Sequence, residues 1–114
     1  MNTAQAILIV GTECPAGISE EEWNKWYSEH HVRLVLKFKG VRKADRYKRI
    51  GTDRGEYNYP TYLAVYEFDN LQALEEYNAS PESDTVGEDW DRWVKKGAEL
   101  NWWTSYEHIK TIQK

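Results

Sequence analysis

The sequence predicts an α+β domain, a four-stranded antiparallel sheet with helices packed on one face. Three observations predict it. The segment from Ser19 to Gly40 carries start and stop signals of a helix with an aromatic stripe between them. Thr61 to Phe68, TYLAVYEF, alternates with the two-residue period of a strand. In chain order the periodic segments run strand, helix, strand, strand, helix, strand. That is the split βαβ, ferredoxin-like arrangement βαββαβ. A length of 114 residues suits one such domain, 1–114.

Gln5 to Thr12 reads as the first strand, with an unbroken apolar run Ala6-Ile7-Leu8-Ile9-Val10. Such a run fits a strand covered on both faces. Cys14-Pro15-Ala16-Gly17 is a loop. In the helix, Ser19 and Glu22 form a capping box, and Glu20, Glu21 and Glu22 place negative charge where the helix dipole favours it. Lys37, Lys39 and Gly40 mark its end. Trp23, Tyr27, Leu34 and Phe38 share one face. At roughly 100° per residue, His30 falls near the middle of that face, His31 near one edge and Trp26 at the other. Val41 to Ile50 is a basic second strand, followed by a polar hairpin loop, Gly51 to Gly55 and Asn58 to Pro60, longer than most.

In the third strand Tyr62, Ala64, Tyr66 and Phe68 take one face, and Leu63, Val65 and Glu67 the other. Asp69 caps a short helix carrying Leu71, Leu74 and Tyr77, with Gln72 at the box position. Ser80-Pro81 starts a further helical stretch that Trp90, Trp93 and Val94 continue towards Gly97. Asn101 to Ile112 is the last strand, with Trp102, Tyr106 and His108 on one face and Trp103, Ser105, Glu107 and Ile109 on the other. Three strands carry apolar residues of both parities, so both sheet faces are expected to be covered. Helices cover one; a second copy laid sheet to sheet covers the other.

Composition narrows the function. The net charge of −4 and the lack of a basic stripe argue against nucleic acid. The start MNTAQAILIVG has no basic region, and its apolar run is too short for a membrane span. One cysteine fits a reducing, cytoplasmic setting. Six Trp and eight Tyr against two Phe favour a pocket or interface with wet edges. Three scattered histidines, and no glycine-rich phosphate loop, predict no metal and no nucleotide cofactor.

The chemistry left is histidine among aromatics. His30 and His31 are either packing residues or proton carriers tuned near neutral pH. Arg46 and Tyr47 either contact an anionic or phenolic substrate or solvate a strand. Glu67, alone on an apolar strand face, is paired across an interface or functional, since an unpaired buried carboxylate is costly.

The pattern Trp26-Tyr27, His31 four residues later, Gly40-Val41 and Arg46-Tyr47 resembles the EthD-like family of the dimeric α+β barrel superfamily. The stretch YLAVYEFDNLQALEEYNASPE also resembles that group's third strand and second helix, with Lys39 in place of the usual Pro before Gly40. The doubled His30-His31 leaves the register open by one residue, and the spacing to Gly40 favours His31. The resemblance implies a homodimer and a cavity between helices and sheet, usually without a metal. Its members include polyketide cyclases, cofactor-free monooxygenases of aromatic substrates, isomerases and proteins with no known reaction. The expectation is proton-transfer chemistry (cyclase, dehydratase or monooxygenase type) on an aromatic or polyketide-like small molecule. His31 acts as general acid/base and His30 or Tyr27 orients it. Trp23, Trp26, Tyr62, Tyr66 and Phe68 line the cavity, and Arg46 and Tyr47 are further substrate contacts. The alternatives are a non-catalytic, ligand-binding or stress-associated dimer and, third, a haem-linked activity.

Overall fold

A computed structural model describes residues 5–51 and 59–114 of the chain. The order is β1 (Ala6–Glu13), α1 (Glu20–Trp26), a π-helical turn (Tyr27–His31), α2 (Val32–Leu36), β2 (Val41–Lys48), β3 (Tyr62–Phe68), α3 (Leu71–Asn78), α4 (Pro81–Val94) and β4 (Glu99–Glu107). The strands form one sheet in the order β2-β3-β1-β4, with every pairing antiparallel. This is the predicted ferredoxin-like architecture. The expected hairpin loop falls largely on 52–58, outside the described residues.

Register sorts the two sheet faces. Ala6, Leu8, Val10 and Thr12 of β1 stand opposite Phe68, Tyr66, Ala64 and Tyr62 of β3, on the helix-covered face. All four of those β3 residues are buried. Ile7 and Ile9 pair with Glu67 and Val65 on the opposite face, which no helix among the described residues covers and where the side chains are only half-buried. Glu67 is not isolated there. Its carboxylate lies 3.9 Å from Arg42 and 3.8 Å from Lys43.

The caps explain where the helices begin and end. The Glu22 N–H donates to Ser19 Oγ at 3.1 Å, as the capping box requires. The cap of α3 is Asn70 rather than Asp69: its Oδ1 accepts from the Ala73 N–H at 2.8 Å. Ser80 caps α4, with Pro81 at the first helical position. Gly97 closes α4 in a left-handed conformation (φ 100°), and the Ala98 N–H returns to Trp93 O at 3.0 Å, the Schellman pattern. Gly40 serves another purpose. Its φ is not positive, but a Cβ there would stand 2.9 Å from both the Ala73 side chain and the Phe38 ring, so close packing excludes one. The last strand stops at Glu107, five residues before Ile112. Among the described strands it pairs with β1, and the last link is the His108 N–H donating to Gln5 O at 2.7 Å.

The long helix departs most from a regular reading. Between Tyr27 and His31 it widens into a π turn, where the Val32 N–H donates to Tyr27 O, five residues back. One extra residue in a turn rotates everything after it back by about one residue step, about 100°. His31 therefore takes the inward place that even spacing assigned to His30, and Val35 takes that of Leu34. His31 is 5% exposed and Val35 2%, while 55% of the His30 side chain is exposed.

Candidate active site

Helix α4 packs over the π turn and α2. The contact is aromatic. Trp26 stacks on Trp93 with centroids 4.4 Å apart, and Trp23 meets Trp90 and Trp93 at 6.0 and 5.6 Å. Such ring pairs contribute about 0.5–1.5 kcal/mol each beyond their buried area. This cluster fixes the His31 ring, which lies 4.9 Å from Trp26, 5.0 Å from Tyr27 and 5.9 Å from Trp90.

Asp89 of α4, 5% exposed, completes the arrangement. Its Oδ2 lies 2.8 Å from His31 Nδ1 and its Oδ1 3.3 Å from His30 Nε2. A carboxylate accepts, so His31 donates from Nδ1 and keeps the lone pair on Nε2. Burial pulls the His31 pKa below its ordinary 6.5, more strongly than Asp89 raises it; His30 and Arg46 add smaller depressing effects. The imidazole is neutral at pH 7. Unfolded chains bind this proton more readily than folded ones. The stability held by neutral His31 is thus complete above about pH 6.5 and is lost as pH falls towards the lower folded value. Lowering the pH from about 7.5 to about 5.5 should depress the melting temperature of the parent more than that of His31→Gln. Equal acid slopes in the two proteins would remove His31 as the cause.

His31 forms part of the wall of a cavity of about 410 Å³ between helices and sheet. Leu8, Val10 and Tyr66 rise from the sheet, Tyr27 and Val35 come from the long helix, and Tyr77, Val86 and Trp90 from α3 and α4. Trp103 and Ser105 of β4 stand at its exposed side. The Tyr66 and Tyr27 hydroxyls interact with each other. Burial pushes the Tyr27 pKa up to about 12 and raises that of Tyr66 further, so both are neutral phenols.

The site brings together His31, Tyr27 and Tyr66 of the residues singled out by sequence. His30 touches Asp89 from the surface side. The lining expected of Trp23, Trp26, Tyr62 and Phe68 falls to other residues. Trp26 backs the histidine and Trp23 packs on Trp26, the Tyr62 hydroxyl donates to Glu20, and Phe68 packs on Tyr77 at 5.4 Å. Tyr47 is 55% exposed on the uncovered sheet face, opposite Leu63. Arg46 stays out of the cavity, its guanidinium 4.3 Å from the Tyr27 ring centre and its Nη1 bonded to Asn24 Oδ1 at 2.8 Å and Ser28 Oγ at 3.0 Å. The Cys14 thiol donates to Ile18 O, 3.4 Å away, and burial raises its pKa, which disfavours the thiolate. Among the described residues, no three His, Cys, Asp or Glu side chains gather to hold a metal, and no helix is long and apolar enough to cross a membrane.

Sequence reasoning missed Asp89, Tyr77 and Trp90. One signal for Asp89 was available. Val86, Trp90 and Trp93 recur at helical spacing along α4, and an acidic residue set among them lies on or beside the inward face.

A family model described as a domain of unknown function, DUF4286, matches residues 5–85. That is most of the chain. The protein belongs to the DUF4286 family. No curated protein matches its sequence. Among solved structures, the DUF4286 chain is similar to an ethyl tert-butyl ether D (EthD) family protein from Bacillus halodurans, at 16% identity and a TM-score of 0.66, over 93% of this chain and 99% of that one. It is similar to a DABB family protein with a ferredoxin-like fold from Mesorhizobium loti, at 18% identity and TM-score 0.62, over 95% and 98% of the two chains. A third, from Shewanella loihica and provisionally described as a monooxygenase, aligns at 17% identity and TM-score 0.58, over 97% and 99%. At these identities the likeness shows the fold, and it is the EthD-like, ferredoxin-like fold expected from the sequence. The DUF4286 match ends at residue 85, before Asp89 and Trp90.

Proposed function

We propose that this DUF4286 protein is a small, cytoplasmic, cofactor-independent enzyme that moves a proton on an aromatic or polyketide-like molecule. One observation carries the reading: His31, in the wall of an aromatic cavity of about 410 Å³, is paired 2.8 Å away with the buried Asp89 behind it. Ligand pockets run from about 300 to 1,000 Å³, so a ring system fits. Nε2 of a neutral His31 takes a proton from the substrate, Asp89 steadies the imidazolium that forms, and the paired Tyr27 and Tyr66 hydroxyls have one O–H left to offer the oxygen on which charge develops. Cyclisation, dehydration and cofactor-free ring oxygenation all begin with such a step, and the Shewanella protein's provisional description agrees with the last. A ligand-binding or stress-associated dimer would share the cavity and differ at His31.

The test uses 2-tetralone, a bicyclic aryl ketone with exchangeable C–H protons, in heavy water. The parent protein should accelerate deuterium uptake, read by NMR. Uptake at the buffer rate would count against the proton-transfer reading.

The reading includes a two-fold dimer closed through the uncovered sheet faces. Ile9 and Val65 sit side by side there, with Trp102 38% and Tyr106 56% exposed on the neighbouring strand. Each protomer would hide on the order of 800 Å² or more. Sedimentation should give a dimer at micromolar concentration and a monomer for Val65→Lys. A monomeric parent would refute the arrangement.

A further inference from the structure

The cavity beside His31 has an uncharged lining, which limits what it can take. None of the described residues lining it is Asp, Glu, Lys or Arg. Its polar side chains are neutral: the His31 imidazole, the phenols of Tyr27, Tyr66 and Tyr77, and the short side chains of Asn78, Ser83 and Ser105.

Arg46 is the cation an anionic ligand would need, and it is held elsewhere. The guanidinium lies against the Tyr27 ring at 4.3 Å, with Nη1 bonded to Asn24 and Ser28. Asp89 contributes the opposite charge. It stands directly behind His31, with its Oδ2 2.8 Å from Nδ1. A carboxylate or phosphate entering this space would shed its hydration, gain no cation and face the Asp89 field. A hydroxyl or ketone oxygen loses little by comparison and finds phenolic and imidazole partners. The ring-rich walls, Trp90 and Trp103 among them, suit an aromatic body.

We infer that this cavity selects an uncharged aromatic ligand bearing a hydroxyl or keto oxygen and rejects an anion of the same shape. The inference rests on the reading of the cavity as a ligand site, and the test separates the two. The full chain is titrated calorimetrically at neutral pH with 2-naphthol and with 2-naphthoate, which share a ring system and differ in charge. The His31 ring signals are followed by NMR, with His31→Gln supplying the assignment. Binding of 2-naphthol at least tenfold tighter than 2-naphthoate, with the His31 signals shifted, is the expected result. Equal binding, or tighter 2-naphthoate, would keep the cavity as a ligand site and overturn the charge selection. Binding of 2-naphthol that leaves His31 unmoved overturns the selection at this cavity. Binding of neither probe overturns both readings.

Discussion

His31→Gln should lose about 10²–10⁴-fold in the rate of deuterium uptake by 2-tetralone, the range expected when a positioned general base is removed. Its melting temperature should change little. Glutamine keeps an N–H that can reach Asp89, so the buried carboxylate retains a donor and the cost is about 1 kcal/mol. Lost exchange with retained melting separates catalysis from packing, because a purely structural histidine predicts the reverse: lower stability and intact chemistry. His30→Gln is the register control. With 55% of its side chain exposed and its Nε2 3.3 Å from Asp89, His30 should be replaceable within a few-fold in rate. Asp89→Asn removes the charge that supports the imidazolium and should lower the rate with a smaller effect than His31→Gln. Unchanged exchange in His31→Gln would end the assignment, and loss in His30→Gln alone would move it one residue.

Trp23→Ala should be the most damaging single change to stability. The side chain is 0% exposed and meets Trp26, Tyr27, Tyr62, Trp90 and Trp93 with ring centroids between 5.4 and 6.4 Å. Truncating a buried aromatic of this kind costs about 3–5 kcal/mol, from lost transfer energy and the cavity left behind. For a domain this size that corresponds to a fall of roughly 10–20 °C in melting temperature. Total stabilities of about 5–15 kcal/mol make this a large share. Trp23→Phe should cost far less, since it keeps ring contacts and removes an Nε1 that has no hydrogen-bond partner among the described residues. Trp103→Ala, 65% exposed, serves as the control and should melt within a few degrees of the parent. A Trp23→Ala protein as stable as Trp103→Ala would mean that the tryptophan cluster does not hold α1 to α4.

Local chemistry along the chain was enough for the architecture. Alternation in TYLAVYEF placed Tyr62, Ala64, Tyr66 and Phe68 on one face, and all four are buried under the helices. Ser19 and Ser80 cap where their side chains and the residues after them predicted. These signals are legible because strand period and cap chemistry act within a few residues. Half of the candidate site was legible on the same terms: the helix, its aromatic face and a histidine pair within it.

What stayed hidden was decided across the chain. The π turn lets α1 and α2 both face the sheet while His31, not His30, points inward, and even spacing counts no extra residue. Asp89 lies 58 positions from His31, and a long-range hydrogen bond leaves no periodic trace in either segment. Arg46 looked like an anion contact because it is a cation beside Tyr47. Its partners, Tyr27, Asn24 and Ser28, come from the helix packed above β2. Secondary structure and the identity of the sheet faces follow from neighbours in sequence. Which histidine meets the cavity, and what charge the cavity presents, follow only from how α4 and the long helix settle on the sheet.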